Sequence, residues 1–208
     1  MNNKLNPEQE PYSDRTVAAY RWKAEEAIRN WEKSWKPSRF LKRFAAALPP
    51  RGKVLDYGCG IGTDLAWLKG QGFGVEGIDG TAEFVEEARK RCPGVTVSLE
   101  RFERVRLASR SRDGIWCNAA LIHVPPETLK IELAKLGAAL KAGGWLGLTL
   151  AWGSASGYSR EDWIPGRYIV GYSKQALEPL FLGWKVRELR VTSGDTRKGR
   201  WIQVLATP

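Results

Sequence analysis

The segment Val54-Leu55-Asp56-Tyr57-Gly58-Cys59-Gly60-Ile61-Gly62-Thr63-Asp64 is where the chain's chemistry concentrates. A short apolar strand pattern runs into three glycines at alternate positions, and a helical pattern follows. Gly58 and Gly60 let the backbone turn tightly and approach a ligand closely. Gly62 falls near the helix start, where free N–H groups favour an electron-rich partner. The GxGxG spacing is one residue short of the dinucleotide pattern GxGxxG. No Lys-Ser/Thr pair follows, which excludes a P-loop. Asp56 precedes the first glycine by two positions. A carboxylate there suits a cationic amine better than a pyrophosphate, because two anions repel. Asp79, in Gly77-Ile78-Asp79-Gly80, ends the next strand pattern and can accept both hydroxyls of a ribose.

A second group of residues could act on a substrate. His123 is the one histidine in the chain. Near neutral pH an imidazole can take a proton, so His123 is a candidate base; its other reading is a structural tie between its loop and the next helix. Trp31, Trp35, Trp152, Tyr158 and Tyr172 could wall an aromatic pocket, since aromatic faces attract apolar ligands and cations. The plainer reading, for at least half of these rings, is packing. Cys59, Cys92 and Cys117 show neither CxxC pairing nor metal-ligand spacing, and with one histidine a zinc site is not expected.

These residues need a scaffold, and the pattern predicts one. After a polar arm over 1–12, helices are expected over 15–34 and 38–48. Strands are expected over 53–57, 74–78, 95–99, 114–118 and 145–152, separated by helices over 63–69 and 82–91 and a third opened by Pro125-Pro126 and ended by Gly143-Gly144. A loop to about Tyr172, a helix over 173–182 and an antiparallel pair over 184–192 and 200–206 close the chain. Such alternation implies parallel strands with right-handed crossovers, and ligands bind beyond the C-terminal ends of the strands. One domain is expected: an arm and helical lid over 1–50, and the α/β body over 51–208.

The glycine segment resembles motif I of class I S-adenosylmethionine (SAM)-dependent methyltransferases, and Asp79 is similar to that family's ribose-binding acid. Leu140-Lys141-Ala142-Gly143-Gly144 resembles the family's L-K-P-G-G turn into strand five, with Ala142 in place of proline. The resemblance spans roughly residues 53–208 and is nearest to small bacterial tellurite-resistance and thiopurine methyltransferases. It implies a Rossmann-like seven-stranded, mostly parallel sheet of order 3-2-1-4-5-7-6. It implies SAM as cofactor and S-adenosylhomocysteine (SAH) as product. By position, Asp56 would lie near the methionine amine, and Gly58, Cys59, Gly60 and Gly62 would form the loop beneath it. Asp79 and Gly80 would hold the ribose, Arg101 and Phe102 would flank adenine, and Asn118 and Ala119 would line the cofactor after strand four. Arg101 stands where the family often has an acid, which Glu100 could replace by a shift of one residue.

The net charge is +10, with twelve Lys/Arg against six Asp/Glu in residues 1–53 and further clusters around Arg101–Arg112 and Lys185–Arg200. The basic residues are dispersed rather than gathered in one stripe, so the charge favours solubility or an anionic substrate over a nucleic-acid surface. No apolar run approaches the roughly 18 residues that span a bilayer, and the polar N-terminus lacks a secretory core. The expectation is a cytoplasmic methyltransferase with a small acceptor, anionic or aromatic. The alternatives are an RNA or protein methyltransferase, or a SAM-binding protein without catalysis.

Overall fold

The computed structural model describes residues 12–160, 162–193 and 200–208. The polar arm, except Tyr12, and the basic residues Arg197 and Lys198 lie outside these. The chain begins with α1 (Tyr12–Trp22), α2 (Ala24–Ser34) and α3 (Arg39–Ala47). The helix expected over 15–34 is therefore two, divided at Lys23, whose backbone (φ −107°, ψ 16°) leaves the helical region. Ser38 caps α3 by accepting the Leu41 amide at 3.0 Å.

The body follows as β1 (Lys53–Tyr57), α4 (Thr63–Gly70), β2 (Gly74–Asp79), α5 (Ala82–Arg91), β3 (Thr96–Leu99), β4 (Arg112–Asn118), α6 (Pro126–Ala139) and β5 (Leu140–Trp152). Then come β6 (Ser156–Tyr158), β7 (Tyr168–Tyr172), the short α7 (Lys174–Leu177), β8 (Lys185–Thr192) and β9 (Trp201–Thr207). The main sheet runs β3-β2-β1-β4-β5-β9-β8, parallel except for β9. This is the expected seven-strand order, with β8 and β9 as its last two strands.

Two more strands occur where a loop was expected. β6 and β7 form a hairpin, and β7 pairs in parallel with the tail of β5 at Ala151 and Trp152. β4 stops opposite Thr149, so β7 continues along the edge of β5 that β4 has vacated. A second correction concerns α6. It ends at Ala139, not at Gly143-Gly144, because Arg110 and Ser111 donate their amides to the Ala138 and Ala139 carbonyls. The two glycines instead sit in an irregularity between the Leu140 and Trp145 pairings of β5. The helix expected over 173–182 is α7 followed by a 3-10 turn at Glu178–Phe181, where Pro179 interrupts it.

Alternation along the strands divides the core. Leu55, Tyr57, Ile115 and Cys117 share a cluster with Leu129, Leu133 and Leu136 of α6. On the other face Val54 and Trp116 pack with Phe40, Leu41 and Phe44 of α3. A separate cluster joins Ala19, Ala24 and Ala27 of α1–α2 to Ile61, Phe84 and Ile164, which seats the N-terminal helices over the C-terminal end of the sheet.

Candidate functional site

A cavity of about 870 Å³ opens at that end, between the strand tips below and α1–α2 above. Its floor begins at the glycine loop. The amides of Gly58 and Cys59 donate to the Ile78 carbonyl at 2.9 and 2.8 Å, pinning the loop to the end of β2. Gly58 has φ +85°, and a Cβ there would stand 2.3 Å from that of Ala120. Only glycine fits. Gly62 plays another part: it does not line the cavity, and its missing side chain admits Ala88 of α5.

The carboxylates behave differently from one another. Asp79 accepts the Gly60 amide at 2.9 Å and the Thr81 amide at 2.8 Å, so it ties the glycine loop to the start of α5. Thr81, at the N-cap of α5, makes no side-chain capping bond. Asp56 is buried, and its Oδ2 has no partner among the described residues. Burial, with the nearby charges of Asp64 and Asp79, pushes the Asp56 carboxyl well above its ordinary value. A buried carboxylate oxygen without a donor fits a cationic group entering the cavity.

Asp64, which the sequence reading left without a role, is a hub. It accepts the indole N–H of Trp35 at 2.7 Å, that of Trp116 at 2.8 Å and the side-chain amide of Asn118 at 2.9 Å. Asn118 Oδ1 in turn accepts the Thr149 hydroxyl at 2.8 Å, whose oxygen accepts the Ala119 amide at 2.8 Å. This chain fixes the turn after β4, where Ala119 holds φ +56°. A carboxylate one residue into the helix after a glycine loop was the available signal.

At the far end of the floor, Glu100, Arg101 and Phe102 line the cavity. Phe102 stacks on Tyr57 at 4.7 Å, and its carbonyl accepts Lys135 Nζ at 2.5 Å. The Arg101 guanidinium pairs with Asp14 of α1 at 2.5 Å.

The roof is aromatic. Trp31 lies over the glycine loop and packs tilted against Phe84 and edge-on against Tyr20 and Trp163. Trp35 also lines the cavity, but Trp152, Tyr158 and Tyr172 do not. Arg200 covers Trp152, Arg15 covers Tyr158, and the Tyr172 hydroxyl bonds the Val124 carbonyl.

His123, in a 3-10 turn after β4, lines the cavity and is buried. Its Nδ1 lies 2.7 Å from the Tyr168 carbonyl and its Nε2 2.9 Å from the Tyr20 hydroxyl. Arg167, between Ile164 and β7, donates to that hydroxyl at 3.0 Å and pairs with Asp162. Tyr20, Asp162 and Arg167 line the cavity as well, and neither Tyr20 nor Asp162 was expected there.

Much of the basic character is paired with acids. Arg21, Arg91, Arg101, Arg112, Lys141 and Arg167 all bridge carboxylates. No helix among the described residues is long and apolar enough to cross a membrane, and they contain no acid, histidine and cysteine group that could hold a metal.

Residues 54–144 match the family model described as a methyltransferase domain. The fold is similar to that of 1,6-didemethyltoxoflavin-N1-methyltransferase from Burkholderia thailandensis, solved with its substrate and SAH. There the TM-score is 0.74 at 16% identity, over 100% of this chain and 93% of that one. It is also similar to magnesium protoporphyrin IX methyltransferase from Synechocystis, solved with SAM, at TM-score 0.71, 17% identity, and 99% of each chain. A TehB-like SAM-dependent methyltransferase from Corynebacterium glutamicum aligns at TM-score 0.65 and 18% identity, over 91% of this chain and 98% of that one.

Proposed function

We propose that this chain, which carries a methyltransferase domain on the fold of SAM-dependent enzymes, is a cytoplasmic enzyme that methylates a small molecule enclosed beneath α1 and α2. The observation that carries this reading is the unpartnered, buried Asp56 oxygen beside a pinned glycine loop, inside a cavity with room for a cofactor and a small acceptor. SAM, when bound, supplies an electrophilic methyl group. Asp56 would hold the methionine ammonium, and Gly58, Cys59 and Gly60 would lie along the methionine moiety. Asp79 and Gly80 would hold the ribose, while Glu100, Arg101 and Phe102 would flank the adenine. Asn118 and Ala119 would bound the reacting end, and Trp31 and Trp35 would close over the loop. Gly62 shapes the loop without contact.

The enclosure favours a small acceptor over a nucleic acid or a protein. α1, α2 and the β6–β7 hairpin cover the strand tips, and two of the similar structures solved with adenosyl ligands are of enzymes named for toxoflavin and protoporphyrin compounds. An aromatic wall of Tyr20, Trp31, Phe84 and Trp163 suits a flat acceptor. The three cysteines are free and buried, in keeping with a reducing compartment.

Calorimetric titration with SAM, SAH and NADH tests the reading. Both adenosyl ligands are expected to bind and NADH is not; folded protein that binds neither adenosyl ligand would refute it. Nucleic-acid affinity that falls steeply with salt would favour the RNA alternative.

A further inference from the structure

Resting on that methyl-transfer reading, we infer that the Tyr20 hydroxyl is a catalytic group that takes the acceptor's proton, and that His123 stands behind it as the proton's destination. The hydrogen-bond polarity follows from the partners. A carbonyl only accepts, so Nδ1 of His123 carries the hydrogen and donates to Tyr168. In the neutral ring that leaves Nε2 with its lone pair, which accepts the Tyr20 O–H at 2.9 Å. Arg167 has no acceptor, so its Nη1 donates to the same phenol oxygen at 3.0 Å. The phenol oxygen thus has a base on one side and a fixed positive charge on the other. Both can stabilise charge that develops on that oxygen in a transition state.

The group is also rigidly placed. Arg167 is itself buried, held by Asp162 and by the Ile164 carbonyl at 3.1 Å. The Tyr20 ring sits edge-on to Phe84 and His123. Tyr20, His123 and Arg167 all line the cavity. In the reaction an acceptor X–H gives its proton to Tyr20 Oη as the Tyr20 proton moves to His123 Nε2. The electron pair left on X forms the bond to the methyl carbon, and the pair of the broken carbon–sulfur bond stays on sulfur. The imidazolium then releases its proton to solvent, so one proton leaves per methyl transferred.

Two measurements test this without knowing the acceptor. In untagged protein labelled with 15N-histidine, the single imidazole gives one pair of nitrogen signals. The expected neutral form has hydrogen on Nδ1, and Tyr20→Phe should move the Nε2 signal by removing its donor. Hydrogen on Nε2 in the wild type would overturn the inference. Phenylmethanesulfonyl fluoride is the second probe: Tyr20 Oη bonds to sulfur, fluoride leaves and the phenol proton goes to His123. Peptide mass spectrometry should find Tyr20 modified, at a rate that falls about tenfold or more in His123→Gln. An unlabelled Tyr20, or an equal rate in a His123→Gln variant that still binds SAH, would overturn it. If wild-type protein fails to bind SAH, the methyl-transfer reading itself falls, whereas the imidazole signals still report the Tyr20–His123 pair.

Discussion

The floor and the roof of the cavity are built by different means. The floor is local. Asp79 bonds an amide two residues away and another nineteen residues away, and the glycine loop hangs from the strand beside it. The roof is assembled across the whole chain: Tyr20 meets His123 across 103 residues and Arg167 across 147, and the Tyr168 amide donates to Thr16 across 152. The floor is polar and anionic, the roof aromatic with Arg167 fixed in it. On the proposed reading, a short, stiff segment sets the part that would hold SAM, whereas the part that would fit an acceptor draws on several elements at once.

The largest expected effect lies in the floor. Gly58→Ala forces a Cβ against Ala120 at a left-handed backbone position and should destabilise the fold by about 2–5 kcal/mol, read from urea unfolding. Gly60→Ala, whose nearest neighbour is Trp31 of the roof at 3.8 Å, should cost only about 1–2 kcal/mol. Similar losses in the two variants would show the floor to be less rigid than its bonds suggest.

Next comes Asp79→Ala. It should weaken SAH binding by about 1–3 kcal/mol in calorimetry, through lost charge-assisted hydrogen bonds. Unchanged affinity in a folded variant would remove Asp79 from the ribose site.

Asp56 separates stability from binding. Its folded carboxyl is raised, so the folded state holds that proton more tightly than the unfolded state does. Stability of the ligand-free protein should therefore fall as pH rises upward from the ordinary value of 3.8. Asp56→Asn should flatten that fall and raise Tm at pH 7, by about 2–4 °C for each kcal/mol gained. The same variant should bind SAH more weakly, because the ammonium loses its counter-charge. A lower Tm would mean that the Asp56 charge is compensated inside the protein.

The smallest effect tests the seam between the two regions. Trp35→Phe removes the indole bond to Asp64 and should weaken SAH retention by about 1 kcal/mol, seen as roughly fivefold faster release in stopped flow. No change in release would show that α2 does not restrain the ligand.

This division explains what the sequence disclosed. The strand pattern, the glycine spacing and the acid at Asp79 are neighbours in sequence and in space, so the body and the floor were readable. His123 was visible as a lone imidazole, but its partner Tyr20 lies in another helix and looked like one more apolar position. The hairpin was hidden because β6 is three residues long, and a strand that short leaves no periodic trace. Trp152, Tyr158 and Tyr172 misled for the opposite reason: ring chemistry is plain in a sequence, but the side of a strand a ring faces depends on register. Asp64 was in view, and nothing local showed that three donors, one from the end of α2 and two from β4, converge on it.

The seat of β7 on β5 bears on how such a chain could diverge. Because β7 takes over an edge already supported by the sheet, the hairpin can lengthen, shorten or slip without disturbing β4 or the glycine loop. A slip of one residue would exchange the faces of Ile169 and Val170 and move the carbonyl that orients the imidazole. Selection for a new acceptor could thus act on a short stretch of backbone and leave the proposed cofactor cradle unchanged.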